Sequence, residues 1–158
     1  MRIAFRPFDD GDLDDFRSWF EDAELRRRLS YPTDEWLAYV TSAETGRCWV
    51  AQDATGQMIA ALQIDNGKDG RGYLDIALRP DLRGRRLGVA VLSAFISGPG
   101  SEFKVLEGAI EPDNAASLAC VRRCGFQIFL GLDEDGLVRV ERYREDVDPQ
   151  GREPTCVP

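Results

Sequence analysis

The 158-residue sequence predicts an α/β domain of the α+β kind, with a mixed, largely antiparallel sheet of about seven strands flanked by about four helices. Three short segments of alternating apolar residues lie between residues 48 and 78, and glycine-containing turns join them. Segments with helical spacing then alternate with further strands. Because hairpin turns join consecutive strands, a doubly wound dinucleotide-binding fold is excluded.

The segment before residue 46 predicts one strand followed by helices. Residues 2–7 alternate and form the strand, and the acidic residues 9–12 supply N-cap candidates for a helix from about Leu13. Residues 24–29 either continue that helix or form a separate turn. A second helix begins at Thr33, whose hydroxyl group can cap it.

The remaining elements are predicted from changes of period and from turn residues. Three strands come first, and after a basic turn the chain alternates between helices and strands. In order, the predicted elements are strands 48–52, 58–64 and 73–78, helix 87–97, strand 103–110, helix 115–123, and strands 126–130 and 137–143. Residues 1–145 are therefore expected to form a single domain, and the proline-containing segment 146–158 a flexible tail.

The composition limits the possible chemistry. The chain has no histidine, so any proton transfer must use a carboxylate, a tyrosine or water. The formal charge of −8 argues against a nucleic-acid partner and suits a cationic substrate, although acidity that serves only solubility is the alternative. No signal core or membrane-length apolar run is seen, so we expect a cytoplasmic protein without a membrane partner.

The four cysteines do not predict a metal site. Cys48, Cys120, Cys124 and Cys156 show no paired C-x-x-C spacing. Cys120 and Cys124 share a helical face, but two thiols without further ligands are more often packing residues. We therefore expect no metal cofactor.

A basic turn, residues 83–88, lies between the strand that ends at Leu78 and the helix that begins at Leu87. Free backbone N–H groups at a helix N-terminus, among guanidinium groups, favour an anion such as a pyrophosphate. The alternative is a solvated turn in which Gly84 serves only to allow a positive φ angle.

Two motifs, within this order of elements, resemble the GNAT N-acetyltransferase superfamily over nearly the whole chain. The sequence RGRRLG of residues 83–88 is similar to that family's acyl-CoA pyrophosphate motif, with Arg86 where the middle glycine is usual. Residues 114–126, NAASLACVRRCGF, are similar to its later CoA-contacting helix. Val121 stands where many members have a tyrosine that protonates the departing thiolate.

The resemblance implies an N-acetyltransferase that moves an acetyl group from acetyl-CoA to a primary amine by direct attack. The acceptor would be a small cationic amine, which the acidity favours, or a protein N-terminus. One rival is a catalytically silent acyl-CoA-binding sensor or partner protein on the same fold. Another is an unrelated nucleotide-binding domain, which the hairpin-joined strands disfavour. A homodimer through a sheet edge or the C-terminal strands is compatible with either family reading.

The resemblance also implies which residues contact acetyl-CoA. Backbone N–H groups at the end of the strand 73–78 would polarise the thioester carbonyl, the basic turn would hold the pyrophosphate, and Asn114 would bond the pantetheine arm. The expected cofactor-binding residues are Ile76, Ala77, Leu78, Arg83, Gly84, Arg85, Arg86, Leu87, Gly88, Val89, Asn114 and Ser117.

The candidate general base is a carboxylate. Asp75 is the first choice, with a solvated position on an ordinary strand as the alternative, and Glu107 and Glu111 come next. Ser117 could donate a proton to the departing thiolate, or no protein acid is needed. Aromatic side chains could wall the acceptor site or belong to the core, and they are Trp19, Phe20, Tyr31 and Trp36.

Overall fold

The computed structural model describes residues 1–42 and 44–147. In chain order its elements are β1 (Ala4–Pro7), α1 (Leu13–Ser18), α2 (Ala23–Arg28), α3 (Asp34–Ser42), β2 (Gly46–Gln52), β3 (Met58–Asn66), β4 (Arg71–Leu78), α4 (Leu87–Ser97), β5 (Val105–Ile110), α5 (Ala115–Arg123), β6 (Gln127–Ile128) and β7 (Val138–Tyr143). Within the described ranges, none of the helices is long and apolar enough to cross a bilayer.

The seven strands form one sheet in the order β1-β2-β3-β4-β5-β7-β6, and the predicted mixed, largely antiparallel sheet is confirmed. Only β4 and β5 pair in parallel. Their pairing is limited to residues 71–73 of β4 and 105–107 of β5, so residues 74–78 have no strand partner on the β5 side. The sheet therefore opens between these two strands.

Helices cover the two faces of the sheet unequally. One face packs against α4 and α5 through a core that includes Leu62, Leu92 and Phe95. The other face packs against α1, α2 and α3, but only over β2, β3 and the end of β4. The rest of that second face, on β5, β6 and β7, carries polar side chains.

The chain ahead of α1 is held to β1 by a buried carboxylate. Asp12 Oδ1 and Oδ2 accept hydrogen bonds from the two terminal nitrogens of Arg6 at 2.6 and 2.7 Å. Asp12 Oδ2 also accepts from the Asp9 N–H at 3.0 Å, and the Asp9 side chain accepts from the Gly11 N–H at 2.9 Å. The hydrogen bonds from Arg6 lower the pKa of Asp12. The predicted capping by residues 9–12 is thus present, within a short 3-10 turn ahead of α1.

Most strand ends shift by one or two residues from the sequence prediction, and three differences have a visible structural cause. Five α-helices are described rather than about four, because Asp22 leaves the helical conformation and caps a new helix with its side chain. The predicted strand 103–110 begins at Val105, since a 3-10 turn occupies Pro99–Glu102. The predicted strand 126–130 shortens to Gln127–Ile128.

The predicted tail falls mostly outside the described residues. Asp146 forms an ion pair with Arg144, and Val147 is buried. Residues 148–158 lie outside the described ranges, so the boundary after residue 145 stays a prediction.

Candidate active site

The opening between β4 and β5 leaves the main-chain groups of Ile76 and Leu78, which point to the β5 side, without a strand partner among the described residues. This stretch of β4 is held on its other edge by β3, from Leu78 opposite Ala60 to Leu74 opposite Ile64. This rigid support matters because backbone N–H groups act as oxyanion donors only when they are held in place. The predicted residues Ile76, Ala77 and Leu78 lie within this stretch.

The basic turn joins a 3-10 turn at Pro80–Leu82 to the first residue of α4. Gly84 has a φ of 75°, and a Cβ placed there would meet no atom within 4 Å. The N-cap residue Arg86 makes no capping hydrogen bond with its side chain, and no other capping side chain is seen in the described part of the chain. The first N–H groups of that helix, beside the exposed Arg85 and Arg86, could therefore hold a pyrophosphate.

Arg86 adopts a left-handed conformation, with a φ of 60° and a ψ of 15°. Glycine enters this region freely, whereas a residue with a Cβ is strained by roughly 1–2 kcal/mol. By the resemblance, a Cβ at position 86 would either narrow the phosphate site or be compensated by the additional guanidinium group. The structure adds a conformational cost at the position where the motif usually has glycine.

Arg83 is already paired in the structure. Its Nη1 lies 2.8 Å from Asp22 Oδ2, and both side chains are partly exposed. Asp22 also caps α2, because its Oδ2 accepts a hydrogen bond from the Leu25 N–H at 2.9 Å. The hydrogen bond from Leu25 is the largest cause that lowers the pKa of Asp22, and the bond from Arg83 adds to it. The first residue of the basic turn is thus tied to the start of α2.

Asn114 caps α5, because its Oδ1 accepts a hydrogen bond from the Ser117 N–H at 3.2 Å. Both side chains are partly exposed at the helix start, where a pantetheine arm could reach them. Val121 is buried in the core, so it offers neither a proton nor a polar contact at the position of the usual tyrosine.

The two cysteines of α5 pack against the start of α4. A Cβ at Gly88 would lie 3.5 Å from Cys120 Sγ, and Cys124 Sγ lies 3.7 Å from the Val89 carbonyl oxygen. Burial raises the pKa of Cys120 to about 11 and also raises that of Cys124. Both thiols thus stay protonated at neutral pH and serve as packing groups.

A pocket of about 420 Å³ lies between the N-terminal helices and the β2–β4 part of the sheet. We call it the acceptor pocket, and it is lined by Phe16, Phe20, Arg28, Leu29, Ser30, Pro32, Trp36, Cys48, Ala61, Gln63, Asp75 and Ala77. Phe20 and Trp36 are two of the four predicted aromatic wall residues. Trp19 is buried in the core and Tyr31 is 54% exposed, and neither lines the pocket.

Asp75 combines contact with the pocket and a lack of partners. Within the described part of the chain its carboxylate has no hydrogen bond or ion pair, although the side chain reaches solvent through the open pocket. The surrounding protein removes water from the carboxylate and raises its pKa, and the nearby charge of Asp65 raises it further. The first-choice base is therefore the carboxylate available for an incoming group.

Gln63 lies directly opposite Asp75 in the β3–β4 pairing, and its side chain is fixed at both ends. Trp36 Nε1 donates to Gln63 Oε1 at 2.8 Å, and Gln63 Nε2 donates to Asp65 Oδ2 at 3.3 Å. Tyr39 donates to Asp65 Oδ1 at 2.6 Å. Sequence reasoning missed Gln63, although its polar side chain between the apolar Leu62 and Ile64 of a buried strand was a usable signal.

Glu107 and Glu111 are not brought together with Asp75. Glu107 lies in a second pocket, of about 630 Å³, on the uncovered part of the same sheet face. Its Oε2 pairs with Arg71 Nη1 at 2.9 Å. Glu111 does not line the acceptor pocket, and its Oε2 pairs with Arg28 Nη1 at 3.0 Å. Both alternative bases are therefore already engaged.

Comparison with known proteins gives one family. Residues 2–127 match the model of the acetyltransferase (GNAT) domain. An uncharacterized N-acetyltransferase of Bacillus subtilis, YfmK, is 28% identical over 138 residues, which are 85% of this chain and 92% of that protein. An L-methionine sulfoximine/L-methionine sulfone acetyltransferase of Pseudomonas aeruginosa is 30% identical over 123 residues, 74% of this chain and 61% of that protein.

Solved structures agree on the fold. A crystal structure of the aminoglycoside acetyltransferase AAC(6')-Ib with coenzyme A and kanamycin has a TM-score of 0.76 and 19% identity, covering 91% of this chain and 96% of that one. At this identity the likeness supports the fold alone. The family model spans most of the chain, and the opened sheet, the basic turn and the capped α5 suit it. The chain belongs to the GNAT family and is an acyl-CoA-dependent acetyltransferase.

Proposed function

We propose that this enzyme transfers an acetyl group from acetyl-CoA to the primary amine of a small cationic acceptor by direct attack. The observation that carries the proposal is the position of Asp75. Its carboxylate lines the acceptor pocket without a partner among residues 1–42 and 44–147, and it lies on the stretch of β4 that has no partner on β5. The amine and the thioester would meet at this place.

Asp75 takes the proton that the amine must lose, directly or through water, or it holds the ammonium group before that loss. The raised pKa of its carboxyl group suits such a base, because a base is most effective when its pKa approaches the working pH. The amine nitrogen forms a bond to the carbonyl carbon of the thioester. The carbon–sulfur bond then breaks, and the sulfur leaves as the thiolate of CoA.

The remaining groups act on acetyl-CoA. The N–H groups of Ile76 and Leu78, which point to the β5 side, polarise the carbonyl oxygen, and residues 83–89 hold the pyrophosphate. The N–H of Ala77 faces β3 and is not available for this role. Asn114 bonds the pantetheine arm through the atoms that its capping contact leaves free. Ser117 is the nearest candidate to protonate the thiolate, since Val121 has no proton to give.

The charges near the acceptor pocket support a cationic acceptor. Asp75 lies on the pocket wall, and Asp65 is close enough to affect its pKa. Arg28 of the pocket lining belongs to a cluster in which three carboxylates pair with two arginines of α2, so the cluster keeps one negative charge in excess. These residues are Glu24, Arg27, Arg28, Glu111 and Asp113.

An amino-acid acceptor is the second candidate, because one relative is named as an acetyltransferase of two methionine derivatives. Such an acceptor carries a carboxylate, and Arg28 is the arginine that lines the pocket. Its Nη1 lies 2.6 Å from Asp113 and 3.0 Å from Glu111, and its Nε lies 2.9 Å from Glu24. A substrate carboxylate would have to displace these partners, so we favour the cationic amine.

Thermal-shift titration with acetyl-CoA, CoA and ATP, followed by a thiol-release assay with amines, tests the proposal. A ligand at a hundred times its Kd adds about 2.7 kcal/mol of stability. We expect shifts with both CoA species but not with ATP, and thiol release with diamines and polyamines. Stabilisation by acetyl-CoA without thiol release from any amine, amino acid or peptide N-terminus would contradict the proposed acceptor class.

A further inference from the structure

Ion pairs connect the short helix α2 to two segments that the proposed function assigns to acetyl-CoA binding, the basic turn and the start of α5. At its start, Asp22 pairs with Arg83 of the basic turn at 2.8 Å. At its end, Arg28 pairs at 2.6 Å with Asp113, the residue before Asn114. The two ties reach the two parts of the chain that the proposed function assigns to acetyl-CoA.

The same helix also forms a wall of the acceptor pocket. Arg28, Leu29 and Ser30, at and just after the end of α2, line that pocket. The rest of the helix is anchored by one buried side chain, Leu25. A six-residue helix has little stability of its own, so its position depends on these contacts and on its caps.

The ion pair between Asp22 and Arg83 occupies a guanidinium group that could otherwise bind the pyrophosphate. An arginine beside the N-terminus of α4 would attract the pyrophosphate, but in the structure a carboxylate already lies 2.8 Å from its guanidinium group. Two anions at one guanidinium group repel each other, and the doubly charged pyrophosphate gains more from the α4 N-terminus. The carboxylate is therefore the group that must yield.

We propose that Asp22 is a positioning residue that competes with the pyrophosphate of CoA for Arg83, and that cofactor binding thereby releases the start of α2 beside the acceptor pocket. This inference rests on the proposed function. The inference couples the CoA site to the acceptor pocket. If CoA binding shifts α2 and so changes the affinity for the acceptor, thermodynamic linkage requires that acceptor binding changes the affinity for CoA by the same factor. The Arg28 tie keeps the other end of the helix in place.

Calorimetric titration of CoA into the Asp22→Asn variant tests the competition. Asparagine caps a helix as well as aspartate does, so the variant removes the charge and keeps the cap. We expect CoA to bind about two- to fivefold more tightly than to the wild type, the range for releasing a partly exposed ion pair. Loss of a merely structural contact would weaken binding instead.

Two further variants make the result specific. Asp34→Asn removes the same charge from an exposed ion pair with Arg17, 3.0 Å long in the structure, and should leave CoA affinity unchanged. In an Arg83→Gln background, Asp22→Asn should have no effect. Equal tightening in Asp34→Asn, or tightening that persists without Arg83, would assign the effect to overall charge and overturn the inference.

Hydrogen exchange of residues 22–28 in the wild type tests the release, which CoA should make faster. Slower or unchanged exchange would overturn it. If the wild type binds CoA and Asp22→Asn binds it equally or less tightly, the competition is wrong while the proposed function stands. If the wild type does not bind CoA at all, the proposed function fails and this inference fails with it.

Discussion

Two carboxylates, Asp75 and Glu107, lie on the same face of the sheet on neighbouring strands, yet their surroundings differ. Asp75 has helices above it and no partner among the described residues, and although its side chain reaches solvent, desolvation by the surrounding protein raises its pKa. Glu107 lies on the uncovered part of the face, where Arg71 binds both it and Glu141. The difference shows that a candidate base is identified by whether its carboxylate is already paired with a cation, and not by its position in the strand.

The largest expected effect is that of Asp75→Asn. Removal of a general base lowers turnover by about 10²–10⁴-fold, and we expect kcat to fall by at least about a hundredfold. The melting temperature should rise only slightly, because the carboxylate has no partner among the described residues but its exposure to solvent screens the charge. Steady-state kinetics and thermal unfolding of the same preparation measure both. A drop in kcat of less than about threefold would show that Asp75 is a solvated position, the alternative reading of the strand.

Glu107→Gln should have the opposite profile. Because the ion pair with Arg71 is lost, we expect the unfolding free energy to fall by about 1 kcal/mol, while kcat changes less than about threefold. Urea denaturation and the same kinetic assay measure the two quantities. A hundredfold loss of kcat without a loss of stability would reverse the assignment and make Glu107 the base.

Arg86→Gly tests the backbone strain in the basic turn, which is independent of the comparison between Asp75 and Glu107. Glycine relieves the left-handed strain but makes the unfolded chain more flexible, so we expect a net stabilisation of about 0.5–1 kcal/mol. Arg85→Gly makes the same charge change at a neighbouring residue without a positive φ, and should not stabilise. Denaturation of both variants measures the difference. Equal effects would mean that position 86 is unstrained.

The smallest effect is the pH dependence of the Asp75 penalty. Folding raises the pKa of Asp75, so the folded chain holds that proton more tightly than the unfolded chain. The penalty is present when the carboxylate is ionised and disappears as the pH falls through the raised pKa. The stability advantage of Asp75→Asn should therefore shrink between pH 7 and about pH 4, near the unperturbed pKa. A stability advantage of Asp75→Asn that grows as the pH falls would mean that folding lowers the pKa of Asp75, contrary to this account.

Much of the fold could be predicted from local pattern. The periods of helices and strands gave α4 and α5 with their observed bounds, and the hairpin turns gave the antiparallel strands. The sequence does not decide whether residues 24–29 form a separate helix. The start of α2 depends on the side-chain cap by Asp22, and such a contact leaves no periodic pattern in the sequence. The apolar pattern predicts a strand over 126–130, but β6 is Gln127–Ile128: the Phe129 N–H still donates to the Arg139 carbonyl oxygen of β7, whereas Leu130 is fully exposed.

The candidate site was predictable only in outline. Motif spacing placed the basic turn and Asn114, but long-range pairings decide which side chains are free. The pairing of Arg83 with Asp22 joins residues 61 positions apart, and no local pattern indicates it. The left-handed angle at Arg86 likewise follows from how the turn meets α4, and is seen only in the folded chain.

The most direct test of the central claim compares two acceptors of the same length, 1,4-diaminobutane and 4-aminobutanoate, with product formation from acetyl-CoA followed by mass spectrometry. The account predicts a higher kcat/KM for the diamine, at least about tenfold, and loss of activity towards both in Asp75→Asn. Equal or faster acetylation of 4-aminobutanoate, or an Asp75→Asn variant as active as the wild type, would contradict it.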